Sequence, residues 1–324
     1  MPKQYQTGLV IGRFYPVHRG HVFLLRYAQE QAESLTVILG SQFDEAPEGD
    51  LRAAWLRELF PDIQVIHVPD HNEATDHSEP WTIWAEDTRQ LLSKLPDVVF
   101  SSETYGEPYA QALGCDHILV DLPREQFPIY GSQIRKNPFQ HWNQLPAPTR
   151  GYYAKRVAIV GAESAGKTTL AVKLSQELTT VWMPEYGREF VDRKGGIPTP
   201  NESRILTEET LLRQDALARQ ANRVLICDTE LIVLKVLADV HFGYSPQHIL
   251  DGIEQQQFDL YLLADIDIPW VGDGIHREGE SVRQAQHEQF KQELETQHIH
   301  YHIISGSMKK RVKSGLAIIE RLFQ

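Results

Sequence analysis

The sequence predicts an α/β protein of two domains, each wound around a parallel sheet. Three observations lead there. Short apolar, strand-like runs alternate with helix-like segments along the chain, the pattern of βαβ units. A proline-rich stretch, Leu145-Pro146-Ala147-Pro148-Thr149-Arg150-Gly151, breaks that alternation as a linker does. Each half carries an early strand followed by a glycine-bearing loop and a helix, which presents unpaired N–H groups to phosphates. The length of 324 residues fits two domains, 1–148 and 149–324, at about 100–200 residues per domain.

The elements follow in order. Leu9-Val10-Ile11 reads as a strand ended by Gly12, and helical spacing runs from His21 to about Glu33. Leu35 to Leu39 is a second strand that stops at Gly40-Ser41. Arg52 to Phe60 reads as a helix, Gln64 to Val68 as a strand, Trp84 to Leu95 as a helix and Asp97 to Phe100 as a strand. After the linker come a strand Arg156 to Val160, a glycine loop and a helix Lys167 to Leu178. A strand precedes Glu185, others span Val224 to Cys227 and Leu260 to Ala264, and Ile303-Ile304 begins or continues the last. Lys310 to Phe323 is a closing helix. There is no repeat and no low-complexity tract.

Composition narrows the function. Hydrophobic residues make up 41% and charged residues 23%, enough apolar side chains for a core. With 32 basic against 44 acidic residues the net charge is −12, which excludes a global basic field for nucleic acid. The two cysteines, Cys115 and Cys227, have no CxxC or Cys/His set around them, so a disulfide framework is excluded and a reduced cytoplasmic compartment is expected. The first residues, MPKQYQTGLVIGRF, lack a signal-peptide pattern, and no run approaches the roughly 18–20 apolar residues of a membrane span.

The first motif is Gly12-Arg13-Phe14-Tyr15-Pro16-Val17-His18-Arg19-Gly20-His21. It leaves a strand and opens a helix, whose N-terminal N–H groups and partial positive charge suit a polyphosphate. His18 and His21 fall within one helical turn, so both can face the same phosphates and donate to charge growing on a pentavalent α-phosphate. The plainer alternative is a pair of capping histidines. No third ligand lies near them for zinc. Trp81 and Trp84 read as part of a polar, acidic loop leading into a helix. An aromatic plane there can stack on a pyridinium cation; the alternative is that one of them is core.

The second motif, Gly161-Ala162-Glu163-Ser164-Ala165-Gly166-Lys167-Thr168-Thr169, fits G-x-x-x-x-G-K-[ST] between a strand and a helix. Its backbone N–H groups wrap phosphates, Lys167 reaches the β/γ oxygens and Thr168 can hold Mg²⁺. Glu185 and Asp228 each follow or end a strand, where carboxylates of a parallel sheet face the ligand crevice. One can anchor Mg²⁺ through water and the other accept a hydroxyl proton, or both are helix caps. Arg277 and Arg283 read as a mobile arginine segment able to close on a phosphoryl group, or as a solvated basic loop.

Gly12 to His21 resembles the GxFxPxHxGH motif of the nucleotidyltransferase superfamily. Ile129-Tyr130-Gly131-Ser132-Gln133-Ile134-Arg135 resembles its ISGTxIR segment, with Tyr130 in place of serine and Ser132 in place of threonine. Ser101-Ser102-Glu103-Thr104-Tyr105-Gly106 and Asp121-Leu122-Pro123-Arg124 are similar to segments of nicotinamide mononucleotide adenylyltransferases. GAESAGKTTL, EYGREF and CDTE resemble the kinase half of NadR-type proteins, bifunctional adenylyltransferases and ribosylnicotinamide kinases, and both motif sets stand in that family's order.

The resemblance implies a Rossmann-like nucleotidyltransferase fold followed by a P-loop kinase fold. It implies phosphorylation of nicotinamide riboside by ATP, then adenylylation of nicotinamide mononucleotide by a second ATP to NAD and pyrophosphate. The implied adenylyl-transfer residues are Gly12, Arg13, Phe14, His18, His21, Arg124, Ser132 and Arg135 toward ATP. Those toward the nicotinamide nucleotide are Trp81, Trp84, Ser102, Glu103 and Tyr105. The kinase site takes ATP on Gly161, Glu163, Ser164, Ala165, Gly166, Lys167, Thr168, Thr169, Arg277 and Arg283. The riboside falls to Glu185, Tyr186, Arg188 and Asp228, and Mg²⁺ to Thr168 and Asp228. Gly8 already lies in the first strand, so neither an N-terminal helix-turn-helix nor DNA binding is expected; a homo-oligomer is left open. Two alternatives remain: a coenzyme-A-forming fusion of pantetheine-phosphate adenylyltransferase with dephospho-coenzyme A kinase, and a nucleotide sensor with one decayed site.

Overall fold

The computed structural model describes residues 3–69, 80–269 and 280–324. The chain divides into two compact units, Met1–Thr149 and Arg150–Gln324. Among the described residues, ten strands form two sheets whose paired strands are all parallel.

In the first unit β1 (Tyr5–Gly12), β2 (Ala32–Ser41), β3 (Gln64–Pro69), β4 (Val98–Ser101) and β5 (Asp116–Leu119) lie in the order β3-β2-β1-β4-β5. Side chains alternate across it, as a period of two requires. Val10, Val37, Leu39, Val98 and Phe100 enter one core with Leu24, Leu25, Ala53 and Leu56. Leu9, Ile38 and Val99 enter the other with Ala85, Tyr109 and Leu113. Both faces are buried, so the strands read as continuous apolar runs.

In the second unit β6 (Lys155–Val160), β7 (Trp182–Met183), β8 (Val224–Asp228), β9 (Leu260–Ala264) and β10 (Tyr301–Ile304) take the order β10-β9-β6-β8-β7. Val157 and Ile159 pack with Leu170, Leu174 and Ile319 on one face. Ala158 and Val160 pack with Ile232, Val236 and Phe290 on the other.

Three expectations change. The proline-rich stretch is folded: a helix spans Ala147–Tyr153, because proline fits a helix's first turn, where N–H groups lack partners. Leu145 and Thr149 are fully buried, and the Thr149 hydroxyl donates to the Val17 carbonyl at 3.0 Å. Trp81 and Trp84 lie in the helix Pro80–Leu91 rather than in a loop before it. That helix ends at Leu91, short of Leu95.

Candidate active sites

In the first unit the winding reverses at β1, with β2 and β3 on one side and β4 and β5 on the other. A crevice forms at the carboxyl ends of strands at such a point. A cavity of about 360 Å³ opens there. Gly12, Arg13, Phe14, His18, His21, Ser102, Glu103, Tyr105, Arg124, Ser132 and Arg135 all line it. The chain thus brings together every residue considered for this site except the two tryptophans. Trp81 packs into the core with Leu9 and Tyr109. Trp84 stands edge-on to Tyr105, with centroids 5.7 Å apart, one side chain removed from the cavity wall.

His18 is the N-cap of the helix Arg19–Gln31. Its Nδ1 accepts the Gly20 N–H at 3.1 Å, and His21 Nδ1 accepts the His18 N–H at 3.3 Å. The rings stack with centroids 3.7 Å apart. Capping and chemistry are therefore compatible: with Nδ1 accepting, each neutral ring carries its proton on Nε2. Burial first, then the Arg124 cation, lowers His18 to about 3. Burial, then His18 and Arg124, holds His21 well below its ordinary value, against an opposing pull from the Pro16 carbonyl. Both rings are neutral at pH 7.

The cations around them are held by fixed partners. Arg135 donates to the Tyr15 carbonyl at 2.6 Å and lies over the Tyr15 ring. Arg124 donates to the Ile129 carbonyl at 3.2 Å, pairs with Glu103 and lies over the Tyr130 ring. Arg13 pairs with Glu45. Buried Arg52, which the sequence marked only as the start of a helix, also binds Glu45 and the Arg13 carbonyl and lies over Tyr15. It looks like any helical arginine in sequence, because its partners lie in other elements.

In the second unit β6 lies between β8 and β9, and the phosphate loop follows it. Gly161 has φ +135°, and a Cβ there would lie 2.9 Å from the Ala264 carbonyl oxygen, so this turn needs glycine. Lys167 Nζ donates to the Ala162 carbonyl at 3.0 Å. Thr168 Oγ1 donates to Asp228 Oδ2 at 2.5 Å. Asp228 is 1% exposed, and its Oδ1 has no hydrogen-bond partner among the described residues. Burial raises its pKa, while the Thr168 bond and Lys167 lower it and Glu185 raises it further. Thr169 is exposed in the same first turn.

Glu185 is the N-cap residue of the helix Tyr186–Lys194 without a side-chain capping bond. It pairs with Arg188 at 3.4 Å. Tyr186 is buried under the Arg213 guanidinium, 4.1 Å from its ring centroid.

Arg283 is not on a mobile basic loop. It lies in the helix Glu280–Thr296, is 2% exposed, and donates to the carbonyls of Ile268 at 2.9 Å and Ser164 at 3.4 Å. It supports the phosphate loop from behind. Gln286 on the same helix accepts the Glu163 N–H at 3.2 Å. Arg311, also missed, is fully buried and donates to the carbonyls of Ala165 and Asp265 at 2.8 Å and of Gly306 at 2.9 Å, and pairs with Asp267. Arg277 lies outside the described residues.

A nucleotidyltransferase-like cavity on one parallel sheet and a phosphate-loop site on another define a two-site, nucleotide-dependent α/β transferase. Residues 156–311 match the family described as AAA domain. The chain is 30% identical over 305 residues to the trifunctional NAD biosynthesis/regulator protein NadR of Escherichia coli (strain K12), covering 87% of this chain and 74% of that protein. It belongs to the NadR family. Two solved structures share its fold. A NadR protein in complex with NR has a TM-score of 0.78 at 19% identity, over 99% of this chain and 98% of that one. A NadR protein in complex with NAD and AMP-PNP has a TM-score of 0.76 at 20% identity, over 98% and 96%.

Proposed function

We propose that the chain makes NAD from nicotinamide riboside in two ATP-dependent steps, one on each unit. The observation that carries the reading is the convergence of His18, His21, Arg124, Ser132 and Arg135 on one cavity of the first unit, in a chain whose second unit has a phosphate loop of its own. Family membership favours NAD biosynthesis over the coenzyme-A-forming alternative.

In the second unit the riboside 5′-hydroxyl attacks the γ-phosphorus of ATP, and the bond to the β-phosphate bridging oxygen breaks. The loop N–H groups and Lys167 bind the phosphates. Thr168 and Asp228 would hold Mg²⁺: a hydroxyl and a carboxylate are hard oxygen donors, and Asp228 Oδ1, with no partner among the described residues, supplies a ready ligand. The ion, when bound, neutralises charge between the β- and γ-phosphates. With Asp228 engaged there, Glu185 is the group that takes the hydroxyl proton, and Tyr186 and Arg188 stand beside it for the riboside.

In the first unit the phosphate of nicotinamide mononucleotide attacks the α-phosphorus of a second ATP and expels pyrophosphate. No protein nucleophile is needed, only positioning and charge stabilisation. His18 and His21 donate through Nε2–H, Arg124 and Arg135 carry the compensating charge, and Ser132 donates at a helix start. Ser102, Glu103 and Tyr105 form the nicotinamide-side wall, with Trp84 behind Tyr105. No described helix is long and apolar enough to cross a membrane, and a cytoplasmic site of action suits ATP as substrate.

The test is mass spectrometry of the products from ATP, Mg²⁺ and nicotinamide riboside. Successive appearance of nicotinamide mononucleotide and NAD is expected; absence of either removes the corresponding step.

A further inference from the structure

Two side-chain sets in the first unit repeat one design. Ser101 closes β4, and its Oγ lies 2.9 Å from Nε2 of His117 on β5. His117 Nδ1 lies 2.9 Å from Glu107 in the first turn of the helix Gly106–Leu113. Ser41 closes β2, and its Oγ lies 2.7 Å from Nε2 of His67 on β3. His67 Nδ1 lies 2.7 Å from Asp50 in the first turn of the helix Gly49–Leu59.

The register is shared as well. His67 pairs with Leu39, two residues before Ser41, and His117 with Val99, two residues before Ser101. A glycine begins each helix and presses on its set. A Cβ on Gly49 would lie 2.2 Å from His67 Nε2, and one on Gly106 would lie 1.9 Å from Ser101 Oγ.

Serine, histidine and carboxylate in a row suggest a nucleophile with its base. Burial argues otherwise: Ser101 is 1% and Ser41 6% exposed, and a glycine backbone lies against each hydroxyl. The Ser101 hydroxyl is engaged with backbone instead. It donates to the Glu103 carbonyl at 3.0 Å. Its Oγ also lies within hydrogen-bond distance of His117 Nε2, and the Glu107 carboxylate within that of Nδ1. The segment so held carries Ser102, Glu103 and Tyr105 of the cavity wall, and the Tyr105 hydroxyl donates to the Ile11 carbonyl at 2.9 Å. Beyond Ser41, Gln42 and Glu45 hold Arg13, another wall residue.

We propose that both sets are positioning clasps for the first cavity: Ser101–His117–Glu107 fixes the wall from Ser102 to Tyr105, and Ser41–His67–Asp50 fixes the turn that aims Arg13. The kinetic consequence rests on the adenylyl-transfer reading; the structural one does not.

The test uses the full chain with Glu107→Ala, His117→Ala and His117→Gln. Glu107 is on the surface, so its variant tests the clasp without opening the core. Amide exchange in residues 102–106 is expected to quicken about tenfold in both alanine variants. The KM for nicotinamide mononucleotide should rise about three- to tenfold with kcat nearly unchanged, as misplacement of a binding wall predicts. The kinase step should be unaffected. His117→Gln, whose amide can donate to Ser101, should recover most of the loss. Unchanged exchange in 102–106, or an unchanged KM in the folded Glu107→Ala and His117→Ala variants, overturns the proposal. A wild-type chain that forms no NAD from nicotinamide mononucleotide overturns the adenylyl-transfer reading instead, and the exchange measurement still decides the clasp.

Discussion

The Arg124 guanidinium lies over the Tyr130 ring, with Cζ 4.3 Å from the centroid. Arg124 itself has φ +55°, a left-handed conformation that a non-glycine residue adopts at a cost. The Ile129 carbonyl, Glu103 and the Tyr130 face together hold it there. Where the nucleotidyltransferase motif has a serine hydroxyl, this chain has an aromatic platform under a cation.

A cation–π contact at a half-exposed site contributes about 0.5–1 kcal/mol. Tyr130→Leu should therefore raise the KM for ATP in adenylyl transfer about two- to fivefold. Tyr130→Phe keeps the face and should behave like the wild type. If steady-state kinetics find phenylalanine as poor as leucine, the hydroxyl matters and the stacking argument fails.

His18 and His21 make the first unit acid-sensitive. An unfolded histidine titrates near 6.5, and burial lowers folded His18 to about 3. Between those values the unfolded chain binds more protons, so stability rises with pH across the window. The contribution is complete above about pH 6.5 and is lost as pH falls toward 3, at no more than about 1.4 kcal/mol per pH unit for one ring. His18→Asn retains a capping oxygen and should show a shallower acid limb in denaturant titrations. It should also lose about 10²–10³ in adenylyl-transfer rate, as for a missing transition-state donor. An equally steep acid limb would mean that His18 does not enter the fold neutral.

What the sequence revealed and what it hid follow from the range of the interactions. Gly12 to His21 and Gly161 to Thr169 are local strand–loop–helix motifs whose backbone geometry is set within ten residues or so, and they were legible. The supports were not. Arg52 meets Arg13, and Arg311 meets Ala165, across separations that no local pattern records. Arg283 misled because arginine suggests solvent, whereas here its donors satisfy the carbonyls of a buried loop. The proline-rich stretch suggested a linker because proline disrupts a helix interior, yet the same residue is welcome in a first turn.

Arg311 ties the phosphate loop to the strand ends behind it. It satisfies three carbonyls and Asp267 at once while fully buried. Arg311→Met removes all of these donors, and leaving the three carbonyls without them costs about 3–5 kcal/mol in sum, at about 1–3 kcal/mol each. Calorimetry should show the transition of the second unit lowered by roughly 6–20 °C, at about 2–4 °C per kcal/mol for a domain of this size. A shift within a degree would mean that the loop is held by other contacts.

Lys167→Ala should separate the activities. The lysine's charge follows the γ-phosphoryl into the transition state, so phosphorylation of nicotinamide riboside should fall by about two to three orders of magnitude. Adenylyl transfer to supplied nicotinamide mononucleotide should persist, because the first cavity contains no residue of the phosphate loop. Both half-reactions are to be assayed on one folded preparation. Parallel loss would point to a shared ATP site and end the two-site reading.

Asp228 combines a stability cost with a proposed function. Its folded pKa is raised, chiefly by burial, so the folded chain binds the proton more tightly than the unfolded one. Its stabilising contribution is therefore present below the unfolded value near 3.9 and is lost as pH rises through the folded value. As the pH rises through that folded value, ionising this buried carboxylate burdens the ligand-free fold, with Oδ1 lacking a partner among the described residues. Asp228→Asn keeps an oxygen for the Thr168 hydroxyl and removes the buried charge. Without nucleotide or Mg²⁺ it should melt about 2–4 °C higher, the equivalent of roughly 1 kcal/mol in a domain of this size. Its kinase step should fall by about 10²–10³, and the extra thermal protection that Mg²⁺ gives over AMP-PNP alone should disappear, because the oxygen pair for the ion is broken. Opposite signs for ligand-free stability and activity are what a site kept strained for chemistry produces. A variant that melts lower and still gains protection from Mg²⁺ would show that Asp228 is a structural partner of Thr168 and that the ion is held elsewhere.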